Sequence, residues 1–325
     1  MTAIPLQAKA VAAQRWDAID VARGIAIVAM VVYHFSWDLS FLKLIATDIV
    51  AVPAWRWFAR CIAGSFLFLA GVGLFLAHAQ GLRRKPFLRR LAKIGGAALL
   101  ITAATYLAFP ESFIFFGILH CIAVSSILAL PFLRLRASVV LISAILCLVA
   151  PWIFTDPAFD RPWLDWLGLG ATDPVTNDYV PIFPWFGLVL GGIALAKIAL
   201  PHAETLRLAR WRAKDRFSRF LVWVGRKSLP IYLIHQVVLL GTLYGVLQLT
   251  GPNPMAEARP FLAQCEASCL EQNGQAGTCR ALCSCVADEL RRSDLWRKVL
   301  ADAVPPEDQT RISRMAQQCL RGKEP

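Results

Sequence analysis

The feature that most constrains this chain is a series of apolar stretches, each close to the length that crosses a bilayer, spread over its first 250 residues. A spanning helix needs roughly 20 mainly apolar residues, because in hydrocarbon every backbone N–H and C=O must be satisfied within the segment itself. Such stretches are read at Ile19–Leu39, Phe58–Ala79, Ile94–Phe109, Phe113–Leu133, Ser138–Phe154, Ile182–Leu200 and Leu229–Leu249. Composition agrees. Hydrophobic types make up 57% of the 325 residues and charged types 17%, against about 25% charged in an ordinary soluble domain. The expected fold is all-α, a polytopic transmembrane helix bundle of about seven spans. The N-terminal segment lacks a short apolar stretch followed by a small-residue cleavage site, so the first helix is expected to be retained.

The formal charge of +12 does not point to nucleic acid, because the basic residues sit in alternate connections. Arg83, Arg84, Lys85, Arg89, Arg90 and Lys93 fill one, Arg134 and Arg136 another, and Lys197, Arg207, Arg210, Arg212, Lys214, Arg216 and Arg219 a third. The intervening connections carry only Lys43, Arg56 and Arg161, and the longest is acidic, with Asp156, Asp160, Asp165, Asp173 and Asp178. By the positive-inside rule the first set is cytoplasmic, which places the N-terminus inside and, after seven spans, the C-terminus outside.

At Gly251 the composition turns polar, and a Pro-rich hinge (Gly251-Pro252-Asn253-Pro254) leads into a soluble segment. The expected domains are therefore 1–252, transmembrane, and 253–325, a small α-helical Cys-rich tail. Six of the nine cysteines lie in that tail. Cys265 and Cys269, and likewise Cys279 and Cys283, are one helical turn apart with a turn over Gln272–Gly277 between them, a helical hairpin suited to two cross-links. An external tail favours disulfides Cys265–Cys283 and Cys269–Cys279, with Cys285 and Cys319 left to pair. The alternative, a zinc site, is disfavoured by the wide spacing and the absence of histidine in the tail.

Ionisable side chains inside spans are costly and are functional candidates by default. The first span carries Asp20, Arg23, His34 and Asp38. Arg23 and His34 return to nearly one helix face, about 16 Å apart along the axis, and each has an aspartate within a turn for a partner. The bland reading is an interfacial Asp/Arg pair and a packing histidine. Two further histidines, His120 and His235, fall in later spans, where an imidazole can serve as general base; a three-histidine metal site lacks close spacing and carboxylates. Ser228 reads as the N-cap of the last span, with Pro230 in its first turn. That helix start, beside Arg226 and Lys227, either holds a phosphate or simply anchors the helix on the positive side.

Five blocks in order resemble the heparan-alpha-glucosaminide N-acetyltransferase catalytic-domain family of membrane acyltransferases. They are Asp20-Val-Ala-Arg23-Gly24 leading to Tyr33-His34-Phe35-Ser-Trp37-Asp38, then Phe66-Leu-Phe-Leu-Ala-Gly71, Phe116-Gly117-Ile-Leu-His120, Asp178-Tyr179-Val-Pro181-Ile-Phe-Pro184-Trp185-Phe186-Gly187, and Gly225-Arg-Lys-Ser228-Leu-Pro-Ile-Tyr232-Leu-Ile-His235. The resemblance covers most of residues 15–250, and the Arg23–His34 spacing also looks like that of the broader acyltransferase-3 group. It implies transfer of an acyl group, typically acetyl, from acyl-CoA on the cytoplasmic side to a sugar or glycan acceptor reached from the other side. His34 would be the catalytic histidine, as general base or covalent acyl carrier, with Asp38 orienting it. Arg23 would meet the phosphates of acetyl-CoA, with Asp20, Arg226 and Ser228 at the same end, while His120, Tyr232, His235 and Trp185 would line the acceptor cavity. The partners implied are membrane lipid and a glycan, no metal, and a location in a membrane such as the bacterial inner membrane. The family pattern as known lacks this Cys-rich tail, whose role stays open.

Two other readings stand beside it. One is a transporter of a small molecule or lipid-linked sugar, against which the absence of an internal repeat counts. The other is an idle membrane anchor displaying the tail.

Overall fold

The computed structural model describes residues 16–202, 207–272, 274–301 and 303–321, and every regular element among them is helical. By packing, these residues form two compact units. The first comprises the described residues up to Phe35 together with Val50–Leu239, and the second comprises Ser36–Ile49 and the described residues from Leu240.

Among the described residues, six helices are long and apolar enough to cross a membrane. They are α1 (Asp17–Phe41), α2 (Pro53–His78), α3 (Arg84–Ala108), α5 (Ala137–Phe154), α6 (Ile182–Ala199) and, late in the chain, α8 (Ser228–Thr250). The expected fourth span is instead the short helix α4 (Ile118–Leu128) with irregular flanks. Eleven residues rise about 16 Å, half of a hydrocarbon core of about 30 Å. The flanks resist helix for local reasons, with Gly117 extended before α4 and Pro131 opening a 3-10 turn after it. Two helix starts also lie earlier than expected. Pro53 takes the first position of α2, where its missing N–H costs nothing. The basic run Arg84 to Lys93 forms the first turns of α3 and is not a loop.

In the first unit α6 is the hub, with α2 and α5 packed along it and Leu190, Ile193 and Leu67 fully buried. The α2–α6 approach is backbone to backbone. A Cβ on Gly71 would strike the Val189 carbonyl, and one on Gly192 the Phe68 carbonyl. Small residues at such crossings are what let helices associate where lipid is as apolar as the side chains. The amphipathic helix α7 (Arg216–Arg226) lies against α1 and joins α8 through the single residue Lys227. Ser228, expected as the N-cap of α8, is instead its first helical residue, because the Lys227 carbonyl already accepts the opening hydrogen bond from Ile231 N–H (3.1 Å).

In the second unit α9 (Pro254–Glu271), α10 (Ala276–Arg292), α11 (Trp296–Leu300) and α12 (Pro306–Arg321) surround Leu290, Leu295, Val286 and Trp296. Asn253 caps α9 by accepting from Met255 N–H (2.9 Å) and Ala256 N–H (3.4 Å). The expected hairpin is present, with disulfides Cys265–Cys283 and Cys269–Cys279, and Cys285 bonded to Cys319. The expected turn over Gln272–Gly277 is shorter, since α10 already begins at Ala276; Asn273 and residues 1–15, which the expectation about a leader concerns, lie outside the described residues. Within this unit Arg259 reaches the Ala46 carbonyl (3.4 Å) and pairs with Asp48 (3.8 Å).

Candidate functional site

Irregular backbone inside a helical membrane unit is tolerated only where protein satisfies it, and the residues leading into α4 show how that is done. The Ser112 carbonyl accepts from Asn177 N–H (3.0 Å) and the Phe113 carbonyl from the Thr176 hydroxyl (2.8 Å). Ile114 donates its N–H to the Thr105 hydroxyl (3.0 Å) and accepts the Thr102 hydroxyl at its carbonyl (2.7 Å). The Phe116 carbonyl accepts from Val180 N–H (3.2 Å). The irregular stretches 113–117 and 176–181 thus run side by side, held by α3.

Two of the orphan donors at the start of α4 are taken by titratable side chains. Ile118 N–H donates to the Asp178 carboxylate (3.0 Å), and Gly117 N–H donates to His120 Nδ1 (3.2 Å). A carboxylate at a helix N-terminus is favoured by the exposed N–H groups and the helix dipole. Burial nevertheless pushes the Asp178 carboxyl up to about 6, with the Ile118 hydrogen bond pulling the other way. Asp178, Gly117, His120 and Tyr232 line one narrow crevice.

The hydrogen bonds fix the tautomers of His120 and His235. Because the Thr102 hydroxyl spends its proton on Ile114, it can only accept from His120 Nε2 (3.2 Å). His120 is therefore neutral with the proton on Nε2, and both its nitrogens are engaged. His235 is the opposite case. Its Nδ1–H donates to the Tyr232 carbonyl (2.7 Å), while Nε2 is buried and has no partner among the described residues. The ring of His34 lies 4.9 Å from that of His235, edge to face, with Tyr33 at 5.6 Å on its other side. Phe58 and Trp55 back Tyr33.

At the start of α1 the predicted polar residues form one network. Asp20, 2% exposed, takes Arg23 (3.3 Å) and Arg226 Nε (2.9 Å), and Arg226 Nη2 also reaches Asp17 (3.1 Å). The Arg23 guanidinium also lies against Gly73 of α2, where a Cβ would approach within 2.6 Å. Trp185 packs into the main core beside Gly64 of α2. Asp38, expected to orient His34, belongs to the second unit, where it is fully buried.

Of the predicted residues, His34, His235 and Tyr232 are therefore gathered in one place, His120 stands nearby across the Asp178 crevice, and Asp20, Arg23 and Arg226 form a separate cluster at the first turns of α1. Asp178 and Thr102 were not among the expected site residues. In the sequence Asp178 is one of five carboxylates of an acidic connection, and its direct lead into the Val180–Gly187 apolar run is the local sign that it is not a solvated one.

The half-buried imidazoles of His34, His120 and His235 thus lie among helices long and apolar enough to cross a membrane, with the arginine cluster at the first turns of α1. The family model for heparan-alpha-glucosaminide N-acetyltransferase, catalytic, matches residues 15–237, and the chain belongs to that family of membrane acetyltransferases. Residues 238–325 lie beyond the match. No curated protein and no solved structure matches the chain.

Proposed function

We propose that this protein moves an acetyl group from acetyl-CoA, held at the basic side of the membrane, to a sugar or glycan amine or hydroxyl reached from the opposite side. The observation that carries the reading is the His34–His235 pair. The Tyr232 carbonyl holds His235 in the tautomer whose Nε2 lone pair is buried and unpartnered among the described residues, in a ring 4.9 Å from that of His34. Such a nitrogen can take a proton from an acceptor N–H or O–H as that group attacks the thioester carbonyl. The new C–N or C–O bond forms, the C–S bond breaks, the acceptor proton passes to imidazole, and the CoA thiolate leaves to be protonated. His34 faces the reacting carbonyl in this scheme, and His120, with both nitrogens engaged, positions α4.

Arg23 is the residue suited to the CoA phosphates, since a guanidinium is always charged and offers a planar fork. Arg226, with Asp17 and Asp20, holds the helix that carries it. The alternate basic connections support an N-terminus on the cytoplasmic side, with α4 and its flanks making the remaining crossing in this reading. Three disulfides in the tail suit an oxidising, extracytoplasmic compartment.

Proteoliposomes supplied with acetyl-CoA on one face and a labelled amino sugar on the other test this. Acetylated sugar together with stoichiometric free CoA is the expected result. Passage of unmodified sugar without CoA release would replace acyl transfer with transport.

A further inference from the structure

The amphipathic helix α7 is used by the site only along its inner face. That face is buried through Ser218, Leu221, Val222, Val224 and Gly225. Its fit to α1 is close, since a Cβ on Gly24 would strike the Leu221 carbonyl and one on Gly225 the Asp20 carbonyl. The outer face is of another kind. Phe217, Phe220 and Trp223 are 71%, 52% and 55% exposed, and at 3.6 residues per turn they fall within an arc of about 120°. The Phe220 and Trp223 rings lie parallel, 6.3 Å apart. Arg216 and Lys227 close the two ends of this stripe and Arg219 lies along its side, and the residues just before α7 add exposed Arg207, Arg210 and Lys214.

Position decides what covers such a face. Only Lys227 separates α7 from the spanning helix α8, so the stripe is tethered at the membrane boundary on the side of the basic connections. A helix with an aromatic face and a basic border at that level has the composition of one lying in the interface. Acidic headgroups are the complementary charge there, each nearby Lys or Arg contributing about 1 kcal/mol toward an anionic leaflet.

We propose that α7 is an in-plane interfacial helix that binds anionic phospholipid, its aromatic stripe in the acyl boundary and Arg210, Arg216 and Arg219 on the headgroups. Through its inner face, the lipid would bear on the helix that carries Arg23 and His34.

Native mass spectrometry of the full-length protein in detergent, titrated with short-chain phosphatidylglycerol or phosphatidylcholine, tests the proposal. The wild type is expected to prefer the anionic lipid. The exposed-residue variant Arg210→Gln/Arg216→Gln/Arg219→Gln should lose that preference roughly a hundredfold, with its helical circular dichroism unchanged. In nanodiscs, brominated phosphatidylglycerol should quench the Trp223 emission, taken as wild type minus Trp223→Phe; this second readout needs no charge variant. Equal binding of the two lipids, a preference that survives the triple variant, absence of quenching, or displacement of the lipid by excess CoA would each overturn the assignment. The last outcome would give the basic face to the donor substrate. None of these results depends on acyl transfer, which the proteoliposome assay measures by itself.

Discussion

The two units are held together by different physics. In the first, the α2–α6 crossing rests on glycines that bring backbones into contact, since no hydrophobic drive separates helix from lipid. In the second, four helices enclose a core of a few residues, and three disulfides do what a larger core would. The first unit should therefore break when atoms are added and the second when bonds are removed. One carboxylate in each unit shows a further difference. Asp178 is pushed up by burial, whereas Lys298 donates to Asp308 at 2.7 Å and holds its carboxyl below the usual range.

The largest effect is expected from Gly71→Leu, which drives a side chain into the Val189 carbonyl. A loss of about 4–5 kcal/mol should leave no monodisperse protein on size exclusion in detergent, while the tail disulfides still form by thiol titration. Next comes Cys285→Ala with Cys319→Ala. Opening a crosslink that spans 34 residues should cost the tail about 3–4 kcal/mol, seen as faster limited proteolysis after Gly251 with cleavage elsewhere unchanged. If the tail resists protease equally without that bond, its core is larger than described.

A smaller effect separates the carboxylates. The Asp178 carboxyl sits at about 6, above its value in an unfolded chain. Its contribution is full at about pH 4 and below, and is lost as pH rises through 6, on the order of 2–3 kcal/mol in all. Thermal unfolding in detergent from pH 4 to 7 should show this decline, and Asp178→Asn, which can still accept from Ile118, should remove it. Asp308 has the opposite sign, its contribution present at neutral pH and lost as pH falls through its depressed value, so Lys298→Met should flatten the tail's acid limb.

The sequence made some features legible and hid others for identifiable reasons. Long apolar runs located α1, α2, α5, α6 and α8, because hydropathy alone selects helices that must satisfy their own backbone. The same signal overextended α4, since residues 113–117 are just as apolar but meet their hydrogen-bond needs from Thr102, Thr105 and Thr176. Cysteine spacing gave the hairpin pairs directly. Histidine content marked His34, His120 and His235 alike. Only the surrounding donors and acceptors separate an imidazole with both nitrogens engaged from one with a lone pair to offer, and those partners come from threonine and carbonyl groups far along the chain or one turn back. Asp178 was hidden for a similar reason, a carboxylate in an acidic loop being unremarkable until Ile118 N–H is seen to meet it.

The central claim is that the His34–His235 pair performs acyl transfer. Acceptor-dependent CoA release by the purified protein, measured for wild type, His34→Ala and His235→Ala with acetyl-CoA binding followed in parallel, tests it most directly. The account predicts release by the wild type and at least a hundredfold loss in both variants, with binding of acetyl-CoA retained. Undiminished release from His34→Ala would contradict it.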